Sequence, residues 1–127
     1  MQIDSVDAGE ELDWLVLHHV FDWKRGIAAF GESPYRWGKQ AYAALLPVST
    51  DLAEAWRVLD LAVARGLRVA VTSNGNAPGA AWHVSISGAS GESAQAFGET
   101  VPLAICRAAL RAVEAALLVK SSGATLN

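Results

Sequence analysis

The sequence predicts a single α+β domain whose elements follow the order α-α-β-β-β-α. Three observations support this prediction: helical spacing of apolar residues near the start, three short alternating segments separated by turn residues, and a final segment almost without charge. Because the turns between the alternating segments are short, we expect a small antiparallel three-stranded meander. A chain of 127 residues (1–127) fits one domain.

The first and last predicted helices are apolar on more than one side, which is typical of helices covered on two faces. The first covers residues 5–21, with Ser5 or Asp7 as its N-cap. The last lies within residues 99–119, where Thr100 can cap the helix and proline is tolerated in the first turn. Its charged residues form one narrow stripe, which we interpret as its exposed edge: Arg107, Arg111 and Glu114.

The second predicted helix, residues 49–65, has apolar residues on a single face. Its N-cap is Ser49, Thr50 or Asp51, of which Asp51 has the capping-box spacing to Glu54, and Gly66 is the expected stop. The residues of the apolar face recur at helical spacing: Leu52, Ala55, Trp56, Leu59, Ala62 and Val63.

The three strand candidates cover residues 67–72, 81–87 and 92–97, and each alternates between two faces. One face of the predicted sheet is apolar. The other is small and polar, with Arg68, Ala70, Thr72, His83, Ser85 and Ser87, joined by Gln95 or else by Glu92 and Ala94, according to register. This polar face is either bare to solvent, lightly covered by a helix, or the floor of a pocket.

Residues 24–48 are expected to form an irregular loop rich in aromatic and cationic side chains, because glycines and prolines interrupt any periodicity. Within it, residues 40–46 fit either a helical turn or a strand. The rings either stack on a planar ligand together with the cations or cover the end of the core. Residues 120–127 are expected to be a frayed tail.

Composition excludes several classes of function. A net charge of −3 argues against generic binding of nucleic acid, which requires a basic face. An apolar fraction of 52% favours self-association, so we expect a homo-oligomer. The lone cysteine, Cys106, reads as a small buried hydrophobe, and we expect neither a metal nor a cofactor. The acidic first ten residues and the absence of a long apolar run indicate a cytoplasmic protein without a membrane span.

No recognised catalytic motif is present in the sequence. His18 and His19 are adjacent, so on a helix they point about 100° apart and cannot share one metal ion. His83 could serve as a general base, but no motif places a carboxylate beside it. We therefore expect no enzyme, and a small enzyme that uses His83 is the less favoured alternative.

Three segments together resemble a known family: residues 11–23 (ELDWLVLHHVFDW), residues 47–60 (PVSTDLAEAWRVLD) and residues 99–112 (ETVPLAICRAALRA). Their order is similar to that of the phage ABA sandwich domain family and, more distantly, of NinX-type phage accessory proteins. The resemblance implies a three-layer α-β-α sandwich and a small accessory protein of phage or prophage origin. It implies no enzymatic activity and no established site residues.

The leading functional hypothesis is a non-catalytic accessory protein in the cytoplasm of the bacterial host. It would act by binding, for instance by sequestering a nucleotide-like immune signal of the host. The candidate ligand-binding residues combine rings, cations and polar groups: Tyr35, Arg36, Trp37, Lys39, Arg68, His83 and Ser85. The alternative is an interaction module whose exposed apolar helix docks a host or phage protein.

Overall fold

The computed structural model describes residues 3–26 and 33–118. After a short 3₁₀ helix at Ile3–Ser5, the elements follow in this order: α1 (Glu10–Phe21), β1 (Lys24–Arg25), β2 (Tyr35–Trp37), β3 (Gln40–Tyr42), α2 (Leu52–Ala64), β4 (Arg68–Ser73), β5 (Trp82–Ser87), β6 (Ser93–Gly98) and α3 (Val101–Glu114). The expectation of a frayed tail at 120–127 lies outside the described residues.

The predicted meander is confirmed, since β4, β5 and β6 pair in that order as antiparallel neighbours. Val71 lies opposite Val84, and Val84 lies opposite Ala96, so the small and apolar side chains share one face. Val84 and Ile86 are fully buried at the centre of that face. The register places Gln95, and not Ala94, on the polar face with His83 and Ser85.

Helix α3 is the centre of the fold, as its apolar circumference predicts. It packs on β5 and β6 on one side and on α1 and α2 on the others, and every residue from Pro102 to Leu110 is buried. Its cap is the predicted one, because Thr100 Oγ1 accepts from the Leu103 amide at 3.3 Å. The strand approaches closely at Gly98, where a Cβ atom would lie 2.7 Å from the Ala104 nitrogen.

Helix α2 has the predicted ends but buries only part of the predicted face. The Asp51 side chain accepts from the Glu54 amide at 3.1 Å. At the other end the Gly66 and Leu67 amides bond back into the last turn around a left-handed glycine. Ala55, Val58, Leu59 and Ala62 are buried, whereas Leu52, Trp56 and Val63 are exposed. The apolar face identified in the sequence is therefore only partly buried.

Helix α1 begins at Glu10, five residues later than predicted from the sequence. Neither Ser5 nor Asp7 caps it. Gly9 occupies the cap position with a positive φ of 146°, a conformation that side-chain-bearing residues avoid. Asp22 adopts the left-handed conformation at the end of α1, and the chain turns from there into β1.

Residues 24–48, expected to be an irregular loop, contain three short strands. β1, β2 and β3 form a second antiparallel sheet, called here the small sheet, in which Arg25 lies opposite Tyr35 and Tyr35 opposite Tyr42. Of the two alternatives for residues 40–46, Gln40–Tyr42 is a strand. Strands of two or three residues are too short to produce a recognisable alternation, which explains why the sequence pattern did not reveal them.

The α+β sandwich is confirmed, with three α-helices and two antiparallel three-stranded sheets in the described residues. The meander packs through one face on α3, with α2 alongside β4. Within the described residues, no helix covers its other face, where Arg68, Ala70, Thr72 and Gln95 are exposed. Of the three alternatives for the polar face, most of it is thus bare to solvent.

Candidate functional site

The aromatic residues of the predicted ligand loop point into the molecule. Tyr35 and Trp37 are half-buried, and their rings lie 6.4 and 5.9 Å from the ring of Trp23, which is fully inaccessible. Tyr42 approaches Trp23 to 4.7 Å. These rings close the end of the core beside α1 and leave little free area for a stacked ligand.

The cationic residues of the same segment lie away from these rings. Arg36 is between Tyr35 and Trp37 on β2, so its side chain leaves the opposite face of the small sheet. Its Nε donates to the Gly38 carbonyl, and Lys39 is exposed in the same turn. The structure therefore separates the predicted stacking rings from the predicted phosphate contacts.

The other three predicted site residues, Arg68, His83 and Ser85, share the bare face of the meander. His83 Nε2 lies 2.9 Å from the Gln95 side-chain oxygen, which makes Nε2 the protonated nitrogen because an amide oxygen only accepts. The His83 ring also contacts Phe97, with centroids 4.7 Å apart. Arg68 lies opposite Ser87, four residues along β4 from the Thr72–His83 pair, or roughly 13 Å away.

The two predicted groups do not form one site. The small sheet packs on α1, where Trp14 meets Tyr35 and Phe21 meets Trp37. The meander packs on α3. The residues that we combined from sequence therefore belong to different surfaces of the molecule.

A cleft of about 370 Å³ lies at the edge of the meander, and its charged residues were not among the predicted site residues. Strand β6 forms the edge, helix α3 contributes two arginines, and the N-terminal segment contributes one carboxylate. The lining residues are Asp4, Gly79, Gln95, Ala96, Phe97, Arg107 and Arg111. Its volume is within the range of small-molecule sites in proteins.

Arg107 is the buried anchor of this cleft, with only 8% of the residue exposed. Its Nη1 donates to the Phe97 carbonyl and its Nη2 to the Val6 carbonyl, both at 3.1 Å. Asp7 lies 3.9 Å from Nη2. Nε is buried without a hydrogen-bond partner among the described residues. Our interpretation of Arg107 as part of the exposed edge of α3 was wrong. The Arg107 side chain is long enough to reach past β6, where its contacts with two backbone carbonyls bury it.

Arg111 stands one helical turn further along α3 and is only partly buried. It forms an ion pair with Asp4, whose own side chain is 64% exposed. The sequence signal for the two arginines of the cleft was their spacing, since Arg107 and Arg111 are four residues apart in the otherwise uncharged segment 100–113. Periodicity alone cannot distinguish an exposed stripe from one that faces a cleft.

Phe97 connects the cleft to the bare face of the meander. It lines the cleft, contacts His83, and is 46% exposed. In the described residues it is one of four large apolar side chains left this open to solvent. The cleft and its margin thus present an exposed ring, an imidazole, a side-chain amide and two guanidinium groups.

A second polar cluster joins the three segments that carry the family resemblance. The Ser49 amide donates to Asp13 Oδ1 at 2.8 Å, and the Gly9 amide donates to Ser49 Oγ at 2.9 Å. Cys106 Sγ donates to the Val48 carbonyl at 3.3 Å. The side chains of Asp13, Ser49 and Cys106 are all buried. These hydrogen bonds therefore hold three elements together: α1, the segment before α2, and α3.

Burial is the largest cause of the pKa shifts of Asp13 and Cys106 in this polar cluster. Desolvation raises the pKa of Asp13, and the hydrogen bonds from Ser49 oppose that shift. Burial also raises the pKa of the Cys106 thiol, which Asp13 raises further. The thiol is therefore held in its protonated, unreactive form, and Cys106 is the buried small residue that was predicted.

In residues 3–26 and 33–118, no group of three or more His, Cys, Asp or Glu side chains has the geometry of a metal site. No helix in the same part of the chain is both long and apolar enough to cross a bilayer.

Comparison with known proteins identifies the family. The model of the phage ABA sandwich domain matches residues 14–110. The chain belongs to the phage ABA sandwich domain family. The resemblance noted in the sequence is thus confirmed for this family, whereas the more distant one to NinX-type proteins stays a prediction. Comparisons with curated proteins and with solved structures found no match. Membership makes the chain a phage-associated protein.

Proposed function

We propose that this phage ABA sandwich protein acts by binding a small ligand that combines a planar ring with an anionic group, as a nucleotide does. The ring would stack on Phe97, and the anionic group would enter the cleft beside Arg111 and Arg107. The finer proposal is that the ligand is a nucleotide-like signal of host immunity, which the protein sequesters. Membership in a phage family supports that role by analogy only.

The observation that carries the proposal is the position of Phe97. An exposed ring on a strand face, 4.7 Å from an imidazole and at the rim of a cleft with two arginines, offers stacking and charge at one place. Stacking of one base on an aromatic side chain contributes roughly 1–3 kcal/mol. A phosphate near a guanidinium gains charge-assisted hydrogen bonds.

Arg111 is the residue best suited to exchange partners. Its ion pair with Asp4 is largely exposed, and such pairs contribute little stability. A ligand phosphate can therefore replace Asp4 at low cost. Arg107 is held by two backbone carbonyls and would stay in place, adding positive charge at the floor of the cleft.

His83 and Gln95 would supply hydrogen bonds to the edge of the ring system. They are already bonded to each other at 2.9 Å, so each is oriented before a ligand arrives. The ring-nitrogen partner of His83 is thus an amide and not a carboxylate, which favours binding over general-base chemistry at this residue. The expectation that the protein is not an enzyme stays a prediction.

A thermal-shift screen against cyclic nucleotides and ADP-ribose derivatives tests the proposal. A ligand at 100 times its Kd should stabilise the native state by about 2.7 kcal/mol. Adenosine and inorganic phosphate, tested separately, should each give a smaller shift than the nucleotide. A flat response across the whole panel would overturn the proposal.

Variants locate the site of any binding. Phe97→Ala and Arg111→Gln should each abolish most of the shift produced by the best ligand. Trp56→Ala is the matched control, because Trp56 on α2 is exposed to the same 46% as Phe97 and does not line the cleft. Full binding by both cleft variants would exclude this cleft.

A further inference from the structure

Three of the four large apolar side chains that are most exposed in the described residues lie on one helix. Leu52, Trp56 and Val63 are 51%, 46% and 56% exposed, and the fourth is Phe97 in the cleft. On α2 the three residues are spaced i, i+4 and i+11, which places them in one stripe along the helix. This set is called here the α2 stripe.

The α2 stripe is not needed to attach the helix to its own domain. That task falls to Ala55, Val58, Leu59 and Ala62, which are buried on the neighbouring face of α2. The helix thus has a satisfied inner face and a separate outer apolar stripe. Isolated exposed apolar residues are ordinary, but three of them on one stripe of a helix favour an interaction surface.

Beside the α2 stripe, the exposed flank of α2 has small residues near its two ends and two opposite charges at its centre. Ala53 and Ala64 are exposed near the two ends, and Arg57 and Asp60 are exposed between them. Small flanking residues allow another helix to approach closely. Arg57 donates through Nε to Glu54 at 2.8 Å, and its guanidinium carries two further nitrogens.

We propose that the α2 stripe is the interface with a second copy of this chain, with the two α2 helices antiparallel about a two-fold axis near residues 58 and 59. A two-fold interface uses the same patch on both subunits, so the patch must complement itself. With a rise of about 1.5 Å per residue, this axis places Leu52 within about 3 Å of Val63 of the partner subunit, measured along the helix. The two Trp56 positions are offset by about 7.5 Å, which the length of their side chains can span.

The charges on the flank support a second copy over an unrelated partner. Positions 57 and 60 are equidistant from the proposed axis, so Asp60 faces Arg57 of the partner subunit, and the same pair forms again on the other side. An antiparallel pair also aligns the two helix dipoles favourably. The apolar fraction of 52% independently favours self-association.

This interface is separate from the proposed ligand cleft. The cleft is lined by the N-terminal segment, the β4–β5 turn, β6 and α3, and α2 contributes nothing to its lining. Dimerisation and ligand binding can therefore fail independently, and each experiment reports on its own proposal.

Sedimentation or light scattering across a dilution series provides the first test. The unaltered chain should show twice the mass of one chain at high concentration, and Trp56→Glu should be a monomer with an unchanged circular dichroism spectrum. Phe97→Ser is the matched control and should remain a dimer, because it removes an equally exposed ring elsewhere. A strictly monomeric unaltered chain would overturn the proposal.

Charge reversal tests the two-fold arrangement itself. Asp60→Arg should weaken the dimer about tenfold, because it creates two like-charged pairs at once. Adding Arg57→Asp should return the Kd to within about threefold of the original. If the double variant is as weak as the single one, the antiparallel arrangement is wrong.

A disulfide between two chains tests the same interface, and it does so without the Trp56→Glu variant. Ala53→Cys with Ala64→Cys should give a covalent dimer on oxidation, since positions 53 and 64 face each other across the proposed axis. Within one chain they are 11 residues apart on a helix, or roughly 16 Å, which is too far to bridge. The native Cys106 is buried and does not compete. Oxidation that leaves the double variant monomeric would contradict the arrangement.

Discussion

The two three-stranded sheets of this protein are held by different means. The meander has strands of six residues and packs aliphatic and small side chains on α3. The small sheet has strands of two or three residues and is attached to α1 by aromatic rings around Trp23. Both sheets have cross-strand backbone bonds, but the small sheet pairs fewer residues and relies more on its rings around the buried indole of Trp23.

This difference shows how much a short sheet relies on packing. Isolated ladders of two or three residues are marginal in water, so the small sheet persists only because its rings cover the core. Arg25 adds a cation–π contact, with its guanidinium carbon 4.4 Å from the centroid of the Trp14 ring. The small sheet should therefore be the part of the domain that opens first.

The largest expected effect comes from removing the indole that holds the small sheet. Trp23→Ala should lower the free energy of unfolding by about 3–5 kcal/mol, because a fully buried aromatic is lost. Hydrogen exchange should show faster exchange at Tyr35–Tyr42, with slow exchange retained in β5. Trp37→Ala, at a half-buried position, is the control and should cost less. Equal loss of protection in both sheets would contradict the comparison.

In the meander, the effect of a substitution should depend on the face of β5. Ile86→Ala should cost about 2–4 kcal/mol because Ile86 is fully buried. Ser85→Ala, its neighbour on the bare face, should change stability by less than about 0.5 kcal/mol. Urea denaturation of both variants measures the difference. Similar costs would mean that the outer face is covered in solution.

The Asp13–Ser49 bond links the helix that carries the small sheet to the rest of the domain. Asp13→Ala should cost about 1–3 kcal/mol, because the buried Ser49 amide loses its acceptor. Asp13→Asn keeps an acceptor oxygen and should cost less. A larger loss in Asp13→Asn than in Asp13→Ala would contradict this account, because it would mean that the retained acceptor oxygen does not stabilise the fold.

The pH dependence of the same pair has a defined sign. Because the pKa of Asp13 is raised in the folded state, the fold favours its protonated form. The contribution of Asp13 to the free energy of unfolding is fully present below the ordinary pKa of an unfolded aspartate. It falls as the pH rises through the pKa of Asp13 in the folded state. The stability of Asp13→Asn relative to the unaltered chain should therefore improve from acidic to neutral pH, as measured by denaturation at several pH values.

The smallest expected effect concerns the end of α3, the helix that carries the meander. Ala116 has a positive φ of 61°, which glycine adopts at lower cost. Ala116→Gly should raise the free energy of unfolding by about 0.5–1 kcal/mol, because the residue is exposed and loses no packing. Ala115→Gly, at a negative φ, should give no gain and serves as the control.

Local rules were sufficient for the elements whose signals lie within a few residues. The cap at Asp51, the stop at Gly66, the cap at Thr100 and the antiparallel meander all follow from spacing and turn chemistry. Local rules failed where a long side chain or a segment from elsewhere in the chain decides whether a residue is buried or exposed. Arg107 reaches the backbone carbonyl of Phe97, 10 residues away, and that of Val6, 101 residues away.

By itself the sequence determined the order of the main elements, the central helix α3 and membership in the phage ABA sandwich family, because each depends on local periodicity or on a colinear motif. Only the tertiary structure decided that the predicted ligand residues fall on two surfaces, that two arginines and Phe97 border one cleft, and that α2 keeps an outer apolar stripe. Those facts depend on which elements pack together, and that packing joins residues whose separation along the chain carries no local signal.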